Sequence, residues 1–215
     1  MKLQAVLILF IAILTATAQA QTHLGWRDTP AIVVIGAPSD PRLDLVDEAV
    51  IYWNQALTDL GSAFKLPTPE RAVLPIPEEA LQAMSAAVMK DPRSVEAPQA
   101  VKELPGDLTV LLADSAFISF ATPFIAPGKR IVGIRNTIQP PLSFPNVARN
   151  LIAHELGHAI GMGHNADPTM LMCGRPAPCR PDGYRDSVAR MFPLSDDDKQ
   201  QLLRMYPWNW AARSR

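Results

Sequence analysis

His154-Glu155-Leu156-Gly157-His158-Ala159-Ile160-Gly161-Met162-Gly163-His164 sets three imidazoles and one carboxylate at a spacing that a bound metal ion explains. On a helix, His154 and His158 lie one turn apart on the same face, so their ring nitrogens can converge on one ion. Glu155 sits beside that face and can reach a water on the ion as a general base without being a ligand. Continued helix would carry His164 round to another face, so the helix has to stop before it. Gly161 stands where the chain must reverse through positive φ, which glycine adopts without a Cβ penalty. The turn then returns His164 to the ion. Three neutral imidazoles leave a fourth tetrahedral position to water, which marks a catalytic rather than a structural zinc site. The spacing predicts Zn2+ as cofactor, His154, His158 and His164 as its ligands, and Glu155 as the catalytic residue.

Around this stretch the composition is that of a globular chain. Of 215 residues, 48% are hydrophobic and 19% charged, enough for one good-sized core. Formal net charge is −1, with 20 basic against 21 acidic side chains, so no global field favours nucleic acid or an anionic membrane. Residues 1–20 read as a secretory signal: Lys2 opens it, Ala5 to Leu14 form the apolar core, and Ala18-Gln19-Ala20 is a small-x-small cleavage site. The apolar run is shorter than the ~20 residues a membrane span needs. The expectation is therefore a secreted or periplasmic protein with no stable membrane anchor after cleavage, residues 21–215 forming one domain and acting as a monomer. Cys173 and Cys179 follow the histidine motif, and export makes a disulfide between them plausible. Two free thiols or a second metal site are the competing readings.

The motif His154-Glu155-x-x-His158-x-x-Gly161-x-x-His164 followed by Met172 resembles the metzincin zinc peptidases, whose signature is this pattern plus a downstream methionine turn. Met172 lies eight residues after His164, as the turn methionine does in the matrixin branch. Met170 is a second candidate, less well spaced. The resemblance implies an α+β fold, a metzincin-like catalytic domain. Its features would be a twisted, mostly parallel sheet, a long active-site helix packed with the first helix on one side, the methionine turn and a C-terminal helix.

Reading along the chain, Ala31–Gly36 is a β-branched run suited to a strand buried on both faces. Pro41–Leu57 carries Leu43, Val46, Val50, Trp53 and Leu57 at helical steps, with Ser39 and Asp40 as capping candidates. Trp53 reads as core. Prolines recur between Gly61 and Gly106, which favours an irregular surface excursion over sheet. One helix, Glu78–Lys90, is embedded in it behind Pro77. Matrixins are shorter here, so residues 68–104 or thereabouts read as an insertion. Asp107–Ala113 and Arg130–Arg135 are the next strands. Between them Pro123–Gly128 is similar to a matrixin calcium loop, but Ile125 stands where the acid would be, and His23 is the one histidine outside the motif. The resemblance therefore carries over neither calcium nor a structural zinc to this chain.

Pro145-Asn146 opens the zinc helix, with Val147, Leu151 and Ile152 as its inner face. After the methionine, Gly174–Pro193 is an irregular loop bearing Arg175, Arg180, Arg185 and Arg190. It lies where matrixins build the outer wall of the primary specificity pocket, and a solvated basic loop is the other reading. Leu194-Ser195-x-Asp197-Asp198 closely resembles the start of the closing matrixin helix, with Ser195 as its cap.

The function implied is that of a hydrolase, an exported zinc metalloendopeptidase cleaving polypeptide substrate through a zinc-activated water. An exported zinc-binding protein without turnover, or a zinc hydrolase of a non-peptide amide, are the alternatives.

Overall fold

The computed structural model describes residues 25–91, 95–125, 128–174, 179 and 188–212. The signal-like segment 1–20, His23, Arg175, Arg180 and Arg185 lie outside them.

Ile32–Ile35 forms β1, with all four residues buried, and Leu108–Leu112 (β3) and Arg130–Ile134 (β5) are buried throughout as well. Such largely apolar runs, Thr109 and Arg130 being the polar exceptions, suit strands covered on both faces. They pair in parallel, Ile32 opposite Leu108 and Leu108 opposite Arg130. Two shorter strands complete the sheet: Glu70–Ala72 (β2), parallel to β1, and Phe120–Ala121 (β4), antiparallel to β5. The order is β2-β1-β3-β5-β4, so β4 is an edge. This agrees with the mostly parallel sheet that the sequence suggested.

The proline-rich segment departs from expectation. It contains β2, although Glu-Arg-Ala has no strand pattern; backbone pairing with the edge of β1 outweighs the weak local preference. The expectation of an irregular excursion over 61–106 therefore holds only in part.

On one face, residues at alternate strand positions (Ile32, Val34, Leu108, Val110, Val132, Ile134) meet two helices, α1 (Arg42–Asp59) and α4 (Pro145–Ala159). Trp53 of α1 is fully buried and donates its Nε1–H to the Ala153 carbonyl of α4 at 2.9 Å, so its expected place in the core is correct. Glu48 and Arg149 add an ion pair between the two helices at 2.5 Å. The inner face of α4 is carried by Ile152, Leu156 and Ala159, while Leu151 is half-buried and so contributes less than its apolar character suggested. The residue before α1 is Pro41, and neither Ser39 nor Asp40 occupies the cap position; Asp40 instead accepts the Arg42 backbone N–H at 2.9 Å and ion-pairs the Arg42 guanidinium at 2.6 Å. That guanidinium caps the carboxyl ends of β3 and β5 by donating to the carbonyls of Leu112, Ala113 and Arg135.

On the opposite face Val33, Ile35, Leu111 and Ile131 meet Leu81 and Met84 of α2 (Glu78–Lys90) and Val101 of α3 (Gln99–Lys102). The segment 68–104 thus covers a sheet face. The closing helix α5 (Asp196–Met205) starts in a capping box: Ser195 Oγ accepts from Asp198 N, and the Asp198 carboxylate accepts from Ser195 N. No helix among the described residues is long and apolar enough to cross a membrane.

Candidate metal centre

The last two turns of α4 carry His154, Glu155 and His158, and the helix ends as its sequence requires. Gly161 has φ 105°. Its N–H donates to the His158 carbonyl and that of Met162 to the Gly157 carbonyl, both at 2.9 Å; this is the paired closure of a glycine-terminated helix. Three further groups satisfy the terminal carbonyls. Arg130 donates to His158 and Ala159 at 2.9 and 2.8 Å; Trp26 Nε1 donates to Ala159 at 2.9 Å, and Tyr206 Oη to Ile160 at 2.7 Å. The cation also opposes the negative end of the helix dipole. Burial lowers the Arg130 pKa to about 10, which leaves it charged. Its guanidinium lies over the rings of Phe124 at 3.9 Å and Trp26 at 5.5 Å.

Beyond the turn, the chain brings His164 back to the other two imidazoles. The three Nε2 atoms form a triangle with edges of 2.9, 3.1 and 3.2 Å. Tetrahedral nitrogen ligands at ~2.05 Å would stand ~3.3 Å apart, so the triangle is close to the span a zinc ion needs. Tautomers favour the same use. His154 Nδ1 lies 2.8 Å from the Leu171 carbonyl and His158 Nδ1 lies 2.8 Å from the Met162 carbonyl; a carbonyl can only accept, so the proton is on Nδ1 and the Nε2 lone pair points at the centre. Burial, then the neighbouring His164 and Arg130, lower the His158 pKa to about 4 against the pull of its hydrogen bond to Met162. The ring is neutral, as a metal ligand must be. Among the described residues this is the one cluster of His, Cys, Asp or Glu that could hold a metal.

A short parallel bridge, Asn165 with Cys173, fixes the chain that carries His164. Asn165 N donates to Met172 O at 2.9 Å and Gly174 N to Asn165 O at 3.0 Å. A Cβ at Gly174 would overlap the His164 ring, so only glycine lets the two segments lie this close. Met172 is fully buried, with its sulfur 2.5 Å from where a Cβ at Gly157 would sit; Met170 is only half-buried. Cys173 and Cys179 are joined in a disulfide, Cα atoms 5.6 Å apart. Asn165 Nδ2 donates to the Asp198 carboxylate at 2.7 Å, which ties this segment to the start of α5. Arg190, from the basic loop, is anchored to α4: its N–H donates to Asn146 Oδ1 and its carbonyl accepts from Asn150 Nδ2.

All three histidines and Glu155 open onto one cleft of about 540 Å3, whose other walls include β4 and the last turn of α2. Glu155 is buried, 6% exposed. Trp26, Arg130, Asn165 and Gly174 were not singled out in the sequence. A charged residue opening an otherwise apolar strand was the one visible sign, at Arg130.

No protein-family model matches the chain, and no curated protein matches it either. Among solved structures, metalloproteinase-II from Bacteroides fragilis superposes with a TM-score of 0.50 at 18% identity, over 86% of this chain and 55% of that one. An archaemetzincin from Methanopyrus kandleri gives a TM-score of 0.44 at 17% identity, over 81% of this chain and 93% of that one. At 18% identity the likeness to the Bacteroides fragilis protein is one of fold. The structure is therefore a mixed α+β domain with a mostly parallel sheet, similar in fold to that metalloproteinase, and it carries a three-histidine site that could hold a metal ion.

Proposed function

We propose that this chain is an exported zinc-dependent endopeptidase of the metzincin type, closest in plan to the matrixin branch. The observation that carries the reading is the convergence of three Nε2 lone pairs within 2.9 to 3.2 Å of one another, beside a buried carboxylate in the same cleft. In this reading residues 1–20 are the signal, residues 21–215 are one catalytic domain working as a monomer, and Met172 is the turn methionine beneath the site.

His154, His158 and His164 would hold the ion, their Nδ1–H groups or chain contacts fixing each ring. Zinc, when bound there, supplies a positive charge that acidifies a water and polarises a carbonyl. Glu155, next to His154 and facing the cleft, takes the proton from the attacking water and returns it to the leaving amine, as general base and then general acid. Edge strand β4 runs along the cleft, and a sheet edge can pair with an extended peptide through backbone hydrogen bonds. A carboxylate at this position favours turnover over mere metal binding, since the ligands alone would hold zinc.

The test is to measure metal content and peptide-library cleavage on the purified protein, with and without a chelator. Zinc near one equivalent and chelator-sensitive internal cleavage are expected. Absence of any transition metal after refolding with zinc would overturn the reading.

A further inference from the structure

The cleft does not end at the metal centre. Its wall continues along β4 to the C-terminal turn of α2, where Val88 and Met89 line it together with Ile118 and Phe124. Three of these are large apolar side chains exposed to solvent: Met89 by 51%, Ile118 by 47% and Phe124 by 38%. Among the described lining residues the titratable side chains are Arg130, Glu155 and the histidines, and Arg130 is turned to the end of α4. The α2 end of the cleft is thus apolar and exposed, continuous with the polar histidine site.

That wall is held in register with the edge strand. Ser85 Oγ of α2 donates to the Ile118 carbonyl at 2.7 Å and accepts from the Ile118 N–H at 3.2 Å. At the other end of α2, the Glu78 carboxylate accepts the N–H groups of Asp114 and Ser115 at 2.9 and 3.2 Å. Leu81 and Met84 pack on Phe117 and Phe120 in the second core cluster. The helix is therefore tied to the segment that leads into β4, and a side chain of a peptide lying along β4 would meet Met89 and Ile118 in the same cleft as Glu155.

We infer that α2 is the far wall of the substrate cleft, and that Met89 with Val88 and Ile118 selects polypeptides carrying a bulky apolar side chain, leucine, methionine or phenylalanine, at one position away from the cleaved bond. This rests on the peptidase reading above. A methionine suits the task because its unbranched thioether adapts to side chains of different shape. Discrimination of leucine over alanine by an open apolar wall is expected to be about tenfold.

The experiment uses the zinc-loaded full chain and a peptide library varied one position at a time among leucine, alanine, aspartate and lysine. Wild type should show one position, outside those flanking the cleaved bond, at which leucine exceeds alanine by about tenfold in kcat/KM, chiefly through KM. Met89→Asp should bring that ratio to near one and Met89→Leu should keep it; Ile118→Asp is the second variant, and both positions are exposed enough to change without unfolding the domain. Binding of the same peptides to zinc-loaded Glu155→Gln, read by calorimetry, should show the same ordering without turnover. Cleavage whose leucine preference is unmoved by Met89→Asp and Ile118→Asp would overturn this inference and leave the peptidase standing. Failure of wild type to cleave any peptide would overturn both.

Discussion

One face of the sheet carries α1 and α4, the other α2 and α3, and the two are built for different purposes. On the first, polar groups are spent on fixing directions: Trp53 on Ala153, Trp26 and Arg130 on the end of α4, Nδ1 of two histidines on backbone carbonyls. On the second, burial of Leu81, Met84 and Val101 against Val33, Ile35 and Leu111 supplies most of the contact. A metal centre tolerates little angular error, so its face needs directional bonds; a covering layer needs mainly volume and apolarity. The first face should govern turnover, while changes on the second should cost stability or alter substrate choice without reaching the metal.

The strongest way to break this division is through the reaction itself. Glu155→Gln keeps the side-chain shape but cannot accept a proton, so kcat should fall by about 10³ to 10⁴ while zinc stays near one equivalent. His158→Ala removes a ligand, and there metal content and activity should fall together. Metal analysis beside steady-state kinetics checks both. A Glu155→Gln protein that kept most of its activity at saturating zinc would make the carboxylate a bystander.

The opposite face is probed by Leu81→Ala. Leu81 is fully buried, and the lost burial plus the cavity should lower stability by about 2–5 kcal/mol. Zinc bound per folded molecule should not change. Denaturant unfolding with metal analysis decides it, and a matching loss of zinc would erase the distinction between the faces.

These two regions also differ in how far they can be read from sequence. The histidine spacing is legible because a helix converts a fixed number of residues into one geometry, and Gly161 marks where that geometry ends. The largely apolar β1, β3 and β5 and the Ser195 cap are legible for similarly local reasons. β2 and β4 are not, since strands of three and two residues are too short to show a period and exist only through their neighbours. Nor are the partners of Trp26 and Arg130, which lie 133 and 28 residues away in the chain. Gly174 looks like any loop glycine until His164 is folded against it. The cover provided by α2 was hidden because a helical pattern states that one side is apolar and not what that side meets.

A smaller effect is expected where the methionine segment is stapled. Reducing Cys173–Cys179 releases a short loop, with a stability loss of about 2 kcal/mol at most in the chain-entropy model. Because Cys173 pairs with Asn165 next to His164, zinc should also leave faster. Chelator-capture rates on reduced and oxidised protein measure this. Equal rates would mean that the backbone bridge alone holds His164.

The smallest effect lies where the closing helix meets the metal segment. Ser195→Ala removes the oxygen that accepts from Asp198 N at 3.1 Å, and loss of such a cap costs about 1 kcal/mol. The Asp198 carboxylate would still accept from Ser195 N at 3.0 Å and from Asn165 Nδ2 at 2.7 Å, so the link to the His164 segment survives. Asp198→Ala removes the carboxylate half of the capping box together with that link, and leaves Ser195 Oγ on the backbone N–H of residue 198. Stability should therefore fall in both variants, but zinc affinity only in Asp198→Ala. Thermal unfolding and competitive zinc titration on the two variants and their double mutant separate the terms. If Ser195→Ala weakened zinc binding as much as Asp198→Ala, the site would depend on the helix start as a whole and not on one carboxylate, and the directional bonding of the metal face would extend into α5.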